Sequence, residues 1–187
     1  FLEIFAGIVA ITAAMTQHGL ETVHPIDMRP KRFANSSSDP IEARNLLDPA
    51  SEEFVAQQIR DPYGPNIIHF SPPDRTFRSG FPGSSRSGWD PGGNGLSGQE
   101  RDGNQLLMVT SRLIQMAIQH DKIFTMIAPT RSLLWSMPEI LTIAGRADTF
   151  FTVTDPLHFS RDHDPKNATS QKILSNELGF RVLGARG

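Results

Sequence analysis

The stretch Asn66-Ile-Ile-His-Phe-Ser-Pro-Pro-Asp-Arg-Thr-Phe77 decides how the rest of the chain is read. A short apolar run ends abruptly in Ser71-Pro-Pro73, the way a buried strand hands over to a rigid loop. Two successive prolines have no N–H to give, so a central sheet ladder cannot continue through them. The residue after the turn, Asp74, is then the one held out toward whatever the loop faces.

Working outward, the elements alternate. Phe1-Leu-Glu-Ile-Phe5 reads as a buried strand, with Ala6-Gly7 as its turn. Ile8 to His18 carries Ile8, Ile11, Thr12 and Met15 at helical spacing, and Gly19 stops it. Thr22-Val-His-Pro-Ile26 predicts a second strand ending at Asp27, and Lys31 to Pro40 is a polar loop. Asn45-Leu-Leu47 is a short apolar stretch. Asp48-Pro49 then opens a helix running to about Arg60, with proline near its start and acids in its first turn, as the helix dipole prefers.

On the other side of the Ser-Pro-Pro turn, Gly83, Gly88, Gly92, Gly93, Gly95 and Gly98 crowd Phe81–Gly98, so residues 78–100 are expected to form a flexible glycine-rich loop. Arg101 to His120 is the clearest helix, with Leu106, Val109, Leu113, Ile114, Ala117 and Ile118 on one face. Ile123–Ala128 is a further strand, and Arg131–Ile143 contains a short helical piece. Asp148–Thr154, Lys172–Ser175 and Gly179–Leu183 are candidate late strands.

Strands alternating with helices predict an α/β fold with a doubly wound, mainly parallel sheet. Such sheets bind ligands at the carboxyl ends of their strands. Phe5-Ala-Gly7, Asp27 and Ser71-Pro-Pro-Asp74 all lie at such ends.

With 187 residues, the chain is of a size for a single domain, 1–187. Its 15 glycines, 14 prolines and 38% apolar residues fit a packed core with long loops. A net charge of −2 advertises no global attraction to nucleic acid. Arg29, Lys31 and Arg32 cluster, as do Arg75, Arg78 and Arg86, and they read as solvated loop charges or, alternatively, as a local basic patch. The absence of cysteine excludes disulfides, thiolate metal sites and cysteine nucleophiles. No apolar stretch reaches the roughly 18 residues of a membrane span. Starting within a strand, and without a basic region before its apolar residues, the chain reads as a processed product or a segment of something longer.

Six ordered pieces carry a resemblance: FLEIFAG at 1–7, PID at 25–27, NLLDP at 45–49, IIHFSPPDRTF at 67–77, APTRSLLW at 128–135 and KILSN at 172–176. Together they resemble a divergent, compact branch of the cytosine-5 DNA methyltransferases. The resemblance implies a Rossmann-like methyltransferase fold and S-adenosylmethionine as cofactor. It places Phe5, Ala6, Gly7, Asp27, Ser71 and Pro72 around that cofactor, with Asp27 on the ribose hydroxyls. Of the family's glycine cluster after strand one only Gly7 remains, and Ile8, Val9 and Ala10 bring side chains where bare backbone is needed. The expectation is therefore either no cofactor or S-adenosylmethionine.

The resemblance also locates the chemistry. The family's nucleophilic cysteine directly follows Pro-Pro, and here that position is Asp74. A carboxylate is a poor nucleophile toward a pyrimidine carbon. The family's Glu-Asn pair before a proline corresponds to Ile127 and Ala128, ahead of Pro129, and neither side chain can hydrogen-bond a base edge. No catalytic residue is expected at these degenerate positions. The expected function is a catalytically inactive structural or interaction module, its partners being other proteins or the rest of a longer chain. The alternative is an active S-adenosylmethionine-dependent nucleic-acid methyltransferase using Ser71-Pro-Pro-Asp74, which resembles the Ser-Pro-Pro-aromatic motif of enzymes that methylate exocyclic amines of DNA bases. The family's target-recognition region has no counterpart here, and a membrane partner is not expected.

His158, Asp162, His163 and Asp164 read as a hydrophilic loop with incidental histidines, or as a metal site, although no supporting ligand spacing appears. Asn167-Ala-Thr169 fits the glycosylation triplet. His69 reads as a hydrogen-bonded core histidine and Trp135 as a core anchor. Trp89 either stacks on a base or partner, or packs back on its own domain.

Overall fold

The computed structural model describes residues 1–6, 10–28, 42–78, 80–154 and 170–177. They form an α/β fold around a mixed sheet of seven strands. Along the chain come β1 (Leu2–Ile4), α1 (Ala10–Gln17), β2 (Ile26–Asp27), β3 (Glu42–Ala43), α2 (Pro49–Arg60) and β4 (Ile67–Phe70). These are followed by α3 (Gly98–Gln119), β5 (Ile123–Pro129), α4 (Pro138–Ala144), β6 (Phe150–Thr154) and β7 (Gln171–Ser175). Short 3-10 turns occupy Arg75–Phe77 and Leu133–Ser136.

The strand order is β3-β2-β1-β4-β5-β7-β6. Pairing is parallel from β3 through β5, whereas β7 runs antiparallel to both of its neighbours. The sheet is thus mixed, with β7 the one reversed strand among the described residues. Lys172-Ile-Leu-Ser175 has the apolar character of a buried strand, but nothing in such a run fixes its direction.

Strand alternation gives the sheet two unlike faces. Leu2, Ile4, Ile68, Phe70, Phe124, Met126 and Leu174 are fully buried and share one core with Val55 and Ile59 of α2 and Leu107, Leu113 and Ile114 of α3. The residues between them, Glu3, His69, Thr125 and Ser175, stand in register across four strands on the other face.

The helices form where capping and periodicity ask for them. Asp48 caps α2 by accepting from Ala50 N at 3.3 Å, with Pro49 at the first helical position. Arg112 of α3 then clasps Glu52 of α2 through two 2.8 Å hydrogen bonds. Gly19, at φ +80°, provides the left-handed exit from α1.

Two expectations are corrected. The strand expected over 22–26 is confined to Ile26–Asp27, since Pro25 has no N–H for a ladder. A strand the sequence did not announce, Glu42–Ala43, pairs with it through Glu42 N to Pro25 O at 2.8 Å and Arg44 N to Asp27 O at 3.0 Å. The candidate strand 179–183 lies outside the described residues. Among the described residues no helix is long and apolar enough to cross a membrane.

Candidate functional site

The order of the sheet reverses between β1, which connects to β2 on one side, and β4, which connects to β5 on the other. A crevice outside the carboxyl ends of strands at such a switch point is where open α/β sheets bind ligands. Ladder bonds continue past the strands here: Ala6 N donates to Ile26 O and Ser71 N to Ile4 O, each at 3.1 Å. They draw the exits of β1, β2 and β4 together, and with them Phe5, Ala6, Asp27, Ser71 and Pro72. Ala6 and Pro72 are buried, while Phe5, Asp27 and Ser71 are half-buried. Gly7, Ile8 and Val9 lie outside the described residues. Phe5 has φ +64°, the left-handed region that a residue with a β-carbon rarely adopts and that clusters at functional sites.

Beneath the crevice Glu3 is 2% exposed. Its carboxylate accepts from Thr12 N at 2.8 Å and from the Thr12 hydroxyl, tying β1 to the first turn of α1. Burial pushes the Glu3 carboxyl above its ordinary pKa, with the Asp27 charge adding to the rise and the Thr12 hydrogen bonds opposing it.

His69 is the hydrogen-bonded core histidine its position predicts. Its Nδ1 lies 2.7 Å from Thr125 Oγ1 and its Nε2 lies 2.9 Å from Ser71 Oγ. Burial lowers its pKa to about 4, so the ring is neutral at physiological pH. The sequence reading passed over Thr125 and over the link from His69 to Ser71. A signal for the latter was present, because residues two apart on a strand share a face.

Asp74, the residue in the cysteine's place, closes a turn: its carbonyl accepts from Phe77 N at 2.8 Å. Its carboxylate pairs with Arg78 at 3.2 and 3.4 Å, and the arginine side chain is well exposed. Ile127 and Ala128 occupy β5 opposite Ile173 and Lys172 of β7, and Ala128 is buried. The crevice therefore offers a serine hydroxyl backed by a neutral imidazole and two carboxylates, Asp27 and Asp74, but no thiol. Among the described residues no cluster of three or more metal-ligating side chains occurs. His158, Asp162, His163, Asp164 and the Asn167 triplet lie outside them.

The loop expected over 78–100 ends sooner, because α3 begins at Gly98; its described residues before that have no regular secondary structure and are bound by a dense polar network. The carboxylate of Glu100, 1% exposed in the first turn of α3, accepts from Ser84 Oγ at 2.8 Å, Ser85 N at 2.6 Å and Ser85 Oγ. Burial works to raise the Glu100 pKa, but these hydrogen bonds and the nearby Arg86 charge outweigh it and hold the carboxyl below its usual range. Arg86 is 7% exposed, not solvated as its surroundings suggested. It lies over the Phe77 ring at 3.8 Å and donates to Pro91 O, Asn104 Oδ1 and Glu100 O at 2.7, 2.7 and 3.0 Å. At the tip, Trp89 is 100% exposed, so it does not pack back on its own domain. Trp135, by contrast, is the expected core anchor. Its Nε1 donates to Pro129 O at 2.9 Å, and Phe151 meets it edge-on at 5.5 Å.

A cleft of about 610 Å³ lined by Phe1, Val23, Tyr63 and Asn66 opens at the amino ends of β1 and β4, away from the crevice. Its one burial-shifted titratable group is the Phe1 ammonium, whose pKa burial lowers below the ordinary value. Neither a protein-family model nor a curated protein matches the chain.

Proposed function

We propose that the chain is a catalytically inactive, methyltransferase-like domain that serves as a structural or interaction module. One observation carries this reading. Asp74 stands where the resembling family keeps its nucleophile, and its carboxylate is engaged with Arg78. Ile127 and Ala128, at the positions of the family's base-binding pair, have nothing to offer a base edge.

The sheet supports the family reading. Its order is the 3-2-1-4-5-6 of doubly wound dinucleotide-binding folds with one reversed strand, β7, between β5 and β6. A single reversed strand near an edge is compatible with a doubly wound, mainly parallel methyltransferase-type sheet. On this reading the crevice holds either no cofactor or S-adenosylmethionine, the latter with Asp27 at the ribose. Partners are other proteins or the rest of a longer chain, with nucleic acid as the alternative.

Calorimetric titration with S-adenosylmethionine and S-adenosylhomocysteine, followed by methyl-transfer assays on DNA and RNA, tests the proposal. No transfer is expected. Transfer that disappears in Asp74→Ala overturns it and favours an enzyme working through Ser71-Pro-Pro-Asp74. Micromolar cofactor binding without transfer, about −8 kcal/mol, leaves the module reading standing with an open pocket.

A further inference from the structure

Hydrogen-bond accounting at His69 assigns a direction to Ser71. Among the described residues Thr125 Oγ1 has a single hydrogen-bond partner, His69 Nδ1, and Thr125 is 4% exposed. A hydroxyl has one hydrogen to place. If His69 carried its proton on Nδ1 and donated to Thr125, the threonine hydrogen would be buried with no acceptor, which native structures avoid. With Thr125 donating to Nδ1 instead, the imidazole proton sits on Nε2 and is donated to Ser71 Oγ. Both buried members, Thr125 and His69, are then satisfied, and the one hydrogen left over belongs to the half-buried Ser71. The ring is neutral at pH 7, so it carries one proton and the choice between tautomers is a real one.

The consequence falls on Ser71. Its oxygen accepts from His69, so its own hydrogen turns away from the ring. Ser71 is half-buried at the carboxyl end of β4, where its N–H is already taken by Ile4 O. Pro72 and Pro73 have no N–H. The Ser71 hydroxyl is thus the donor that the Ser-Pro-Pro segment has to give.

We infer that the switch-point crevice takes a ligand through an oxygen acceptor, a carbonyl or a carboxylate, seated on the Ser71 hydroxyl, with His69 and Thr125 as the residues that aim it. The inference rests on the reading of this crevice as the binding site. It gives Ser71 the opposite role to the one that an exocyclic amine would require, which is to accept. The donor is a neutral hydroxyl backed by a neutral imidazole, which suits an uncharged carbonyl, whereas Ser71, His69 and Thr125 give a carboxylate no counter-charge.

Nuclear magnetic resonance on the ¹⁵N-labelled chain tests this. Two-bond correlations of the His69 ring at pH 7 report the tautomer. Titrations with acetamide, sodium acetate and methylammonium chloride, followed at the Ser71 amide and the His69 ring nitrogens, report the ligand chemistry. The expected result is a protonated Nε2, a bare Nδ1 and shifts with acetamide above those with acetate, with none from methylammonium. Ser71→Ala should keep the tautomer, which Thr125 sets, and lose the acetamide response. Protonation at Nδ1 overturns the donor assignment and leaves the crevice reading intact. A response to methylammonium alone, or an acetamide response that survives Ser71→Ala, also overturns it. A protonated Nε2 with no response to any probe overturns the ligand assignment together with the reading of the crevice as a binding site.

Discussion

Two segments that follow β4 one after the other are held in opposite ways. Ser71–Asp74, at the crevice, hangs on Ser71 N to Ile4 O, Ser71 Oγ to His69 and a surface pair between Asp74 and Arg78. The glycine-rich segment beyond it is gripped by Glu100 from below and by Arg86 from within, through many short contacts. The loop is therefore held by more polar contacts than the Ser71–Asp74 segment, whose buried support comes through His69 and Thr125. A catalytic crevice needs its groups fixed within fractions of an ångström. Here close fixing extends to an outer loop with an exposed tryptophan at its tip.

The contrast is open to direct attack. Replacing Glu100 by Ala leaves the Ser84 and Ser85 donors unserved under a single layer of loop. It should cost about 3 kcal/mol by urea titration, while leaving the His69 ring resonances unmoved. An unchanged midpoint would mean that the loop contributes nothing to the fold.

Acid addresses the crevice side. His69 titrates at about 4 when folded, against an ordinary value near 6.5. The unfolded chain therefore binds the extra proton first, and stability is lost as pH falls through that window. Between pH 7 and pH 5 the loss attributable to His69 should be about 2 kcal/mol, read as the difference between the wild type and His69→Gln. Taking the difference matters because Glu3, whose carboxyl is raised, works in the opposite direction as the pH falls further.

Gly93 is a finer probe of the loop. It has φ +68°, and a β-carbon there would come within 2.8 Å of Ser85 Oγ and 2.9 Å of both Glu100 carboxylate oxygens. Gly93→Ala should destabilise by about 1–2 kcal/mol, and in a Glu100→Ala background much of that penalty should vanish, as a double-mutant cycle would reveal. Least affected should be Asp74→Asn. It removes only an exposed ion pair, so a shift of more than about 1 kcal/mol in either direction would show that Asp74 has a structural duty which the geometry does not display.

Much of the frame could be read from residues. The Asp48-Pro49 start of α2, the apolar face of α3 and the abrupt end of β4 at Ser71 each follow from a local rule, and each stands where that rule puts it. What escaped depended on partners distant in sequence. The direction of β7 is set by β5 and β6, not by its own apolar run. Glu42–Ala43 is a strand because Pro25 and Asp27 offer it carbonyls, and neither of its side chains advertises one. Arg86 looked like a loop charge because its environment, Phe77, Asn104 and the carbonyls of 91 and 100, assembles only when the loop closes on α3. Thr125 was invisible for the same reason, since its importance lies in being opposite His69.

The two tryptophans sit at the extremes of exposure, 100% for Trp89 and 5% for Trp135, and the chain has no others. Its fluorescence is thereby divided into two reporters. Trp89 should emit as indole in water and be quenched freely by iodide. Trp135, wedged against Phe151 with Lys172 over its ring, should emit at shorter wavelength and ignore the quencher. A partner that lands on the loop would shield the first and leave the second untouched, whereas unfolding would merge them. The native chain thus has its own optical gauge for telling docking from collapse.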